Sequence, residues 1–238
     1  MIAFRERSAC AFLVCALLMS GCGDGVSPSP QRVGDALVLA ITCDSPPYTS
    51  LDESGEPRGI DVDIARAAAA KLGRKLEIRT IDPEELIPQT KSGVVDMAAS
   101  GLAITAGRLR SVDFSIPYAE DGGAFLYRAG ERAPTVILAE SIRVATIESM
   151  THDFYLTRHG IDPVRYRSFA DAVQDVENKK VDAMYYDRSS LADVAEKSGG
   201  RLAVTPLVTR ERLGIVVRKG FKELKAALDA VIEERKSR

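Results

Sequence analysis

Short strand-like runs, several of them largely apolar, separated by stretches of helical periodicity constrain this chain more than any other feature. Leu37–Thr42 and Val95–Ala99 are apolar enough and short enough to be buried parallel strands, and Leu76–Ile81 reads as another strand. Between them, Ile60, Ile64, Ala68 and Leu72 recur at helical spacing and Gly73 stops the helix, while Pro83–Ser92 reads as a second helix with Pro83 near its first turn. The same alternation restarts near Ile142, with strands over Ile142–Ile147, Val164–Arg167 and Val181–Tyr186, the last ending at Asp187. A helix over Thr151–Arg158 and another with Phe169, Ala172, Val173 and Val176 on one face lie between them, and Ser190-Leu191-Ala192-Asp193 reads as a capping box opening a third. Strand–helix–strand units of this kind predict an α/β fold.

The two halves echo each other. Lys91-Ser92-Gly93-Val94-Val95-Asp96-Met97-Ala98 and Asn178-Lys179-Lys180-Val181-Asp182-Ala183-Met184 both follow a helix and both run from a turn through Val-Asp into an apolar strand. Two similar units in one chain predict two lobes with a cleft between them, a favoured place for a small ligand. The tail adds a strand, Leu213–Val217, and a helix whose apolar face is Leu224, Ala227, Leu228 and Val231.

Charge and cysteine content narrow the function. A net charge of -2 gives no electrostatic case for nucleic acid, and two histidines in 238 residues argue against a histidine-built metal site. Residues 1–22 have the layout of an export signal: Arg5 and Arg7, an apolar run from Ala9 to Met19, then Ser20-Gly21-Cys22. Residues 23–36, rich in Gly, Ser and Pro, read as a flexible tether. Cys10 and Cys15 fall in the signal and Cys22 at its end, so only Cys43 remains in the folded part and no disulfide is expected there.

The stretch Val95–Tyr118 carries the main candidate for chemistry. Its strand stops at Ser100-Gly101, Thr105 can cap a new helix, and Arg108 falls in or near the first turn. A polar loop beyond a strand's carboxyl end is where open α/β sheets bind ligands, and arginine grips a carboxylate with two parallel hydrogen bonds. A solvated arginine at a helix start is the plain alternative.

Several motifs in order resemble the bacterial family 3 solute-binding proteins, the polar amino-acid receptors of ABC importers. They are Pro46-Pro47-Tyr48, Gly59-Ile60-Asp61-Val62-Asp63-Ile64-Ala65, Ser100-Gly101-Leu102-Ala103-Ile104-Thr105-Ala106-Gly107-Arg108, Val112–Tyr118 and Gly214–Gly220. The end Leu18–Cys22 resembles a lipobox with Met19 in place of the usual leucine, which implies lipidation of Cys22 and an anchor at the outer face of the cell membrane. The resemblance implies a periplasmic-binding-protein type II-like fold, each lobe a mixed sheet flanked by helices, joined by two crossing strands. The first lobe is expected over 37–127 plus 205–238 and the second over 128–204. It implies that Arg108 clamps a ligand's α-carboxylate, that Ser100, Gly101 and Ala103 line that pocket, that Asp187 takes the α-ammonium group, and that Thr151 adds a contact from the second lobe. Tyr48 is expected to be the ring near the pocket. Asp44 and Glu148 either face a polar or cationic ligand side chain or lie on the surface.

Ala103 and Met150 stand where the family usually has hydroxyl-bearing residues, which leaves the ligand as a small amino acid or a related carboxylate. No cofactor is expected, and the expected partners are that ligand and an ABC permease, with the chain a monomer. A dehydratase of the same fold and a sensory domain acting with a partner are the other classes. Against the enzyme, His152 and His159 lie on or beside one helix and no motif groups them with a nucleophile.

Overall fold

The computed structural model describes residues 36–237. The expected signal, the lipobox at Cys22 and nearly all of the tether lie outside the described residues. In chain order the first strands are Ala36–Ile41 (β1), Asp44–Ser45 (β2), Thr49–Leu51 (β3) and Pro57–Arg58 (β4). Helix Ile60–Lys71 (α1), strand Lys75–Thr80 (β5), helix Leu86–Ser92 (α2) and strand Met97–Ala98 (β6) follow. Next come helix Ala106–Leu109 (α3), Asp113–Phe114 (β7), Ala119–Asp121 (β8) and Gly123–Arg128 (β9). Helix Val136–Ala139 (α4), strand Val144–Ile147 (β10), helix Thr151–Arg158 (α5), strand Val164–Tyr166 (β11), helix Phe169–Glu177 (α6) and strand Ala183–Asp187 (β12) form the next run. The chain closes with Arg188–Lys197 (α7), Leu202–Val204 (β13), Glu211–Leu213 (β14), Val216–Val217 (β15) and Lys222–Lys236 (α8).

Two five-stranded mixed sheets result, in the orders β5-β1-β6-β15-β7 and β11-β10-β12-β9-β13. In each, three parallel strands are followed by an antiparallel one. The apolar runs explain why: β1 is almost wholly buried, as a strand covered on both faces must be.

The sequence echo has a structural cause. In the first sheet Asp96 donates its amide to the Val38 carbonyl and accepts the Val38 amide on Oδ2 at 2.9 Å. In the second, Asp182 does the same with Arg143, Oδ2 accepting at 2.8 Å. Each Val-Asp step thus uses one side chain to pair the start of a central strand with the first strand of its unit.

Three differences from the sequence reading concern long-range pairing. The stretch 124–127, expected in the first lobe, lies in β9, which pairs antiparallel with β12 and β13 of the second sheet, so the chain leaves the first sheet earlier than residue 127. The tail strand expected over Leu213–Val217 is split: β14 pairs with β8 in a two-stranded ribbon between the sheets, and β15 enters the first sheet. The expected cap at Ser190 is displaced, because β12 runs straight into α7 with Asp187 at the N-cap position and Ser190 already within the first turn.

Each sheet has its own packing. Leu224, Ala227, Leu228 and Val231 of α8 bury against α1 and β1, and Phe169, Ala172 and Val176 of α6 pack under the second sheet. Among the described residues no helix is long and apolar enough to cross a membrane.

Candidate functional site

The loop after β6 is a tightly bonded corner. Ser100 Oγ accepts the Thr42 amide at 2.9 Å and sits 3.1 and 3.2 Å from the hydroxyls of Thr42 and Thr49. The Gly101 amide donates to Asp61 Oδ2 at 2.9 Å. Gly101 has φ +64°, and a Cβ there would meet the Tyr48 ring at 2.7 Å, so backbone and ring are fitted to glycine. Tyr48 is buried and its hydroxyl donates to Asp121 Oδ2 at 2.7 Å, tying the corner to β8.

Asp61 is fully buried in the first turn of α1. Burial raises its carboxyl to about 7, against the lowering effect of the Tyr118 hydroxyl and the Gly101 and Ser100 amides.

Thr105 caps α3 as its sequence position predicts, its Oγ1 accepting the Arg108 amide at 3.2 Å. The Arg108 guanidinium turns back over this corner: Nη1 donates to the Ala103 carbonyl at 2.9 Å and Nη2 lies 3.9 Å from Met150 Sδ of the second lobe. Burial lowers its pKa, while Glu211, Asp187 and Tyr186 pull it upward, so its charge faces two carboxylates. Arg108, Thr151 and Glu211 line one cleft of about 740 Å³, with Phe154 and Tyr155 of α5 opposite Thr105.

From the second lobe, α5 brings Thr151 and His152, and β12 ends at Asp187. Thr151 Oγ1 donates to Glu211 Oε2 at 3.0 Å. His152 and Asp187 are each 3% exposed, with Nε2 and Oδ1 3.3 Å apart. Burial alone would lower the His152 pKa, but Asp187, Glu211 and Asp121 around it raise it overall. The rings of Tyr185 and Tyr186 flank the imidazole with centroids at 5.7 and 4.9 Å.

The structure thus gathers Arg108, Thr151, Asp187 and the Ala103 carbonyl into one neighbourhood. Ser100, Gly101 and Tyr48 lie in the corner beneath it, with their polar groups bonded inside the protein. Asp44 is a bridge between lobes, Oδ2 accepting the Phe169 amide at the start of α6 at 3.1 Å. Glu148 pairs with Arg167 at 2.6 Å. His152 and Glu211 were not among the expected binding residues. Both are charged or chargeable residues inside otherwise ordinary helix and strand starts, and only the fold brings them together across 59 positions of sequence, as 211 less 152 counts it.

Two mixed α/β sheets joined by a ribbon, with charged groups from both sides meeting in one cleft, define a two-lobed binding protein. The sequence profile of the bacterial extracellular solute-binding proteins, family 3, matches residues 37–238, and the chain belongs to that family. It is 30% identical to a probable histidine-binding protein of Neisseria gonorrhoeae over 245 aligned positions, covering 96% of this chain and 91% of the relative. Among solved structures, the arginine-bound form of truncated ArgBP from T. maritima superposes with a TM-score of 0.80 at 29% identity, covering 84% of this chain and 96% of that one. An ancestral amino acid-binding protein, a precursor of cyclohexadienyl dehydratase, superposes with a TM-score of 0.77 at 28% identity over 85% of this chain and 90% of that one.

Proposed function

We propose that the protein captures a small amino acid, or a related carboxylate, in the cleft between its lobes for ABC-type import. Arg108 receives the carboxylate and Asp187 the ammonium group, with Thr151 adding a contact. The observation that carries this reading is the placement of a fixed guanidinium at the cleft wall, held by the Ala103 carbonyl and facing Asp187 and Glu211. A zwitterion needs one cation and one anion already in place, because both of its charges lose water on entry. The histidine and arginine named for its relatives make those two amino acids the first ligands to try.

The test is calorimetry with L-histidine, L-arginine and a wider amino-acid panel. Arg108→Ala is expected to weaken binding at least about tenfold, the loss of roughly 1.4 kcal/mol from a charge-assisted contact. Arg108→Lys is expected to lose affinity too, since lysine lacks the two-pronged contact. Asp187→Asn is expected to harm amino acids and spare carboxylates that lack the ammonium group. Equal binding by Arg108→Ala and the unaltered protein would remove the reading.

The proposal extends to location: exported, with a lipid on Cys22 holding the folded part at the membrane. Palmitate labelling that is lost in Cys22→Ser is the expected result. The dehydratase reading finds support only in the ancestral neighbour, and formation of phenylpyruvate or phenylalanine by the purified protein would favour it.

A further inference from the structure

The cleft of about 740 Å³ lies between α3 of the first lobe and α5 of the second, and its charge is uneven. Arg108 and Arg110 reach it from the first lobe, Arg110 being the residue just after α3. Arg158, the last residue of α5, reaches it from the second. Among the described residues of the lining Glu211 is the one carboxylate, and its Oε2 already accepts the Thr151 hydroxyl at 3.0 Å. None of the three guanidiniums lies within ion-pair distance of a carboxylate of the described residues. Arg108 donates to the Ala103 carbonyl and Arg110 to the Ala106 carbonyl at a long 3.5 Å, while the Arg158 guanidinium has no acceptor among the described residues. Arg165 and Arg167 of the same lobe, by contrast, each pair with carboxylates.

Like charges brought to one cavity from two lobes repel one another as the lobes close. An anion between Arg110 and Arg158 turns that repulsion into two attractions, and a cationic side chain adds to it. The rest of the interface leaves a ligand the same direction in which to extend. The lobes are already in direct contact at Ser45 and Tyr186, whose hydroxyls are 3.1 Å apart, and at Asp44 and the Phe169 amide. Between α3 and α5 they enclose the cavity instead, so a side chain carried by a ligand held at Arg108 has its room toward Arg110 and Arg158. Phe154, one turn before Arg158 on α5 and 58% exposed, offers apolar cover for the methylenes of such a side chain.

We propose that the outer part of the cleft, between Arg110 and Arg158, is a second anion site, and that the chain therefore prefers solutes with two carboxylates, such as amino acids with acidic side chains, over neutral and cationic ones. Guanidinium groups suit this role because each can take a carboxylate in a two-pronged contact. The proposal rests on Arg108 holding the first carboxylate and specifies the other end of the same ligand. It departs from the ligands named for the relatives, since an arginine side chain would bring one more cation to this mouth.

The test is calorimetry at low and high salt with L-aspartate against L-asparagine and L-glutamate against L-glutamine, pairs of similar shape that differ in side-chain charge, with L-arginine as the cationic control. In at least one pair the acid is expected to bind at least about fivefold tighter than its amide at low salt. That ratio is expected to shrink as salt rises, because Arg110 and Arg158 are exposed. Arg110→Gln and Arg158→Gln, both at exposed positions and checked for folding by circular dichroism, are each expected to bring the ratio toward one. Equal binding of acid and amide in both pairs, a ratio unchanged in both variants, tighter binding of L-arginine than of either acid, or no saturable binding of either acid would overturn the proposal. Arg108→Ala is expected to weaken acid and amide alike. Amides that bind and lose affinity in Arg108→Ala while the acids show no advantage would sink the second site and leave the carboxylate reading standing; an Arg108→Ala variant that binds as before would sink the reading itself.

Discussion

At the end of β6, the polar groups of Ser100, Gly101, Thr42 and Thr49 engage one another and Asp61 Oδ2, leaving Asp61 Oδ1 and the Tyr118 hydroxyl buried without a hydrogen-bond partner; at the ends of β10 and β12, both ring nitrogens of His152, Asp187 Oδ1 and the Ser190 hydroxyl are in that position, although His152 and Asp187 form an ion pair. The two corners occupy corresponding places in two sheets of like order. The first corner is mainly a network of paired groups beside Arg108, and the second keeps more of its buried polar atoms without a hydrogen-bond partner.

Matched deletions sharpen the contrast. Ser100→Ala removes the acceptor for the Thr42 amide and is expected to cost about 1–3 kcal/mol, whereas Ser190→Ala removes a hydroxyl with no partner and is expected to be neutral or stabilising. Urea unfolding of the two variants measures both, and equal losses would break the comparison.

A second effect comes from pH. The Asp61 carboxyl is raised from 3.8 to about 7 in the folded chain. Between those values the native state holds a proton that the unfolded chain has released, so stability falls as pH rises through this window. Asp61→Asn cannot release that proton, and its melting temperature is expected to be flatter between about pH 4 and about pH 7. The readout is the difference between the two melting curves by circular dichroism, and parallel curves would show that Asp61 is ionised throughout.

The smallest effect belongs to the outer rim. Arg167 of the second lobe, 66% exposed, reaches Glu84 of the first at 3.5 Å. Exposed pairs contribute about 0–1 kcal/mol, so Arg167→Ala is expected to change ligand affinity by less than about fivefold, and less again at high salt. A larger change by calorimetry would mean that the rim, and not the Arg108 wall, controls closure.

Much of this architecture is legible in residues with local causes. The helix over Thr151–Arg158, the cap at Thr105 and the strand ending at Asp187 follow from periodicity and side-chain chemistry alone. The Val-Asp echo was visible before its shared hydrogen-bond pair was. What escaped depends on distant partners. The β8 and β14 strands are three residues each and pair with one another and, through Leu213, with Ala103, so neither has a pattern of its own. Asp44 gains its meaning from the Phe169 amide and Glu211 from Thr151, both far away in sequence. Residue type gave no warning of either.

The order of strands bears on how the chain acquires its shape when it is delivered N-terminus first. The second sheet draws all five strands from the single stretch 123–204. The first sheet cannot close until Val216–Val217 arrives to sit between β6 and β7, and α1 lacks its cover until α8 follows. Contacts of such long sequence separation form late. The half that begins first is thus finished last, and a chain interrupted after residue 204 would present a complete second sheet beside an open, apolar first one. Any machinery that guards the nascent chain has its principal task at the first sheet, where β6 lacks its β15 neighbour and α1 its α8 cover until those later segments are made.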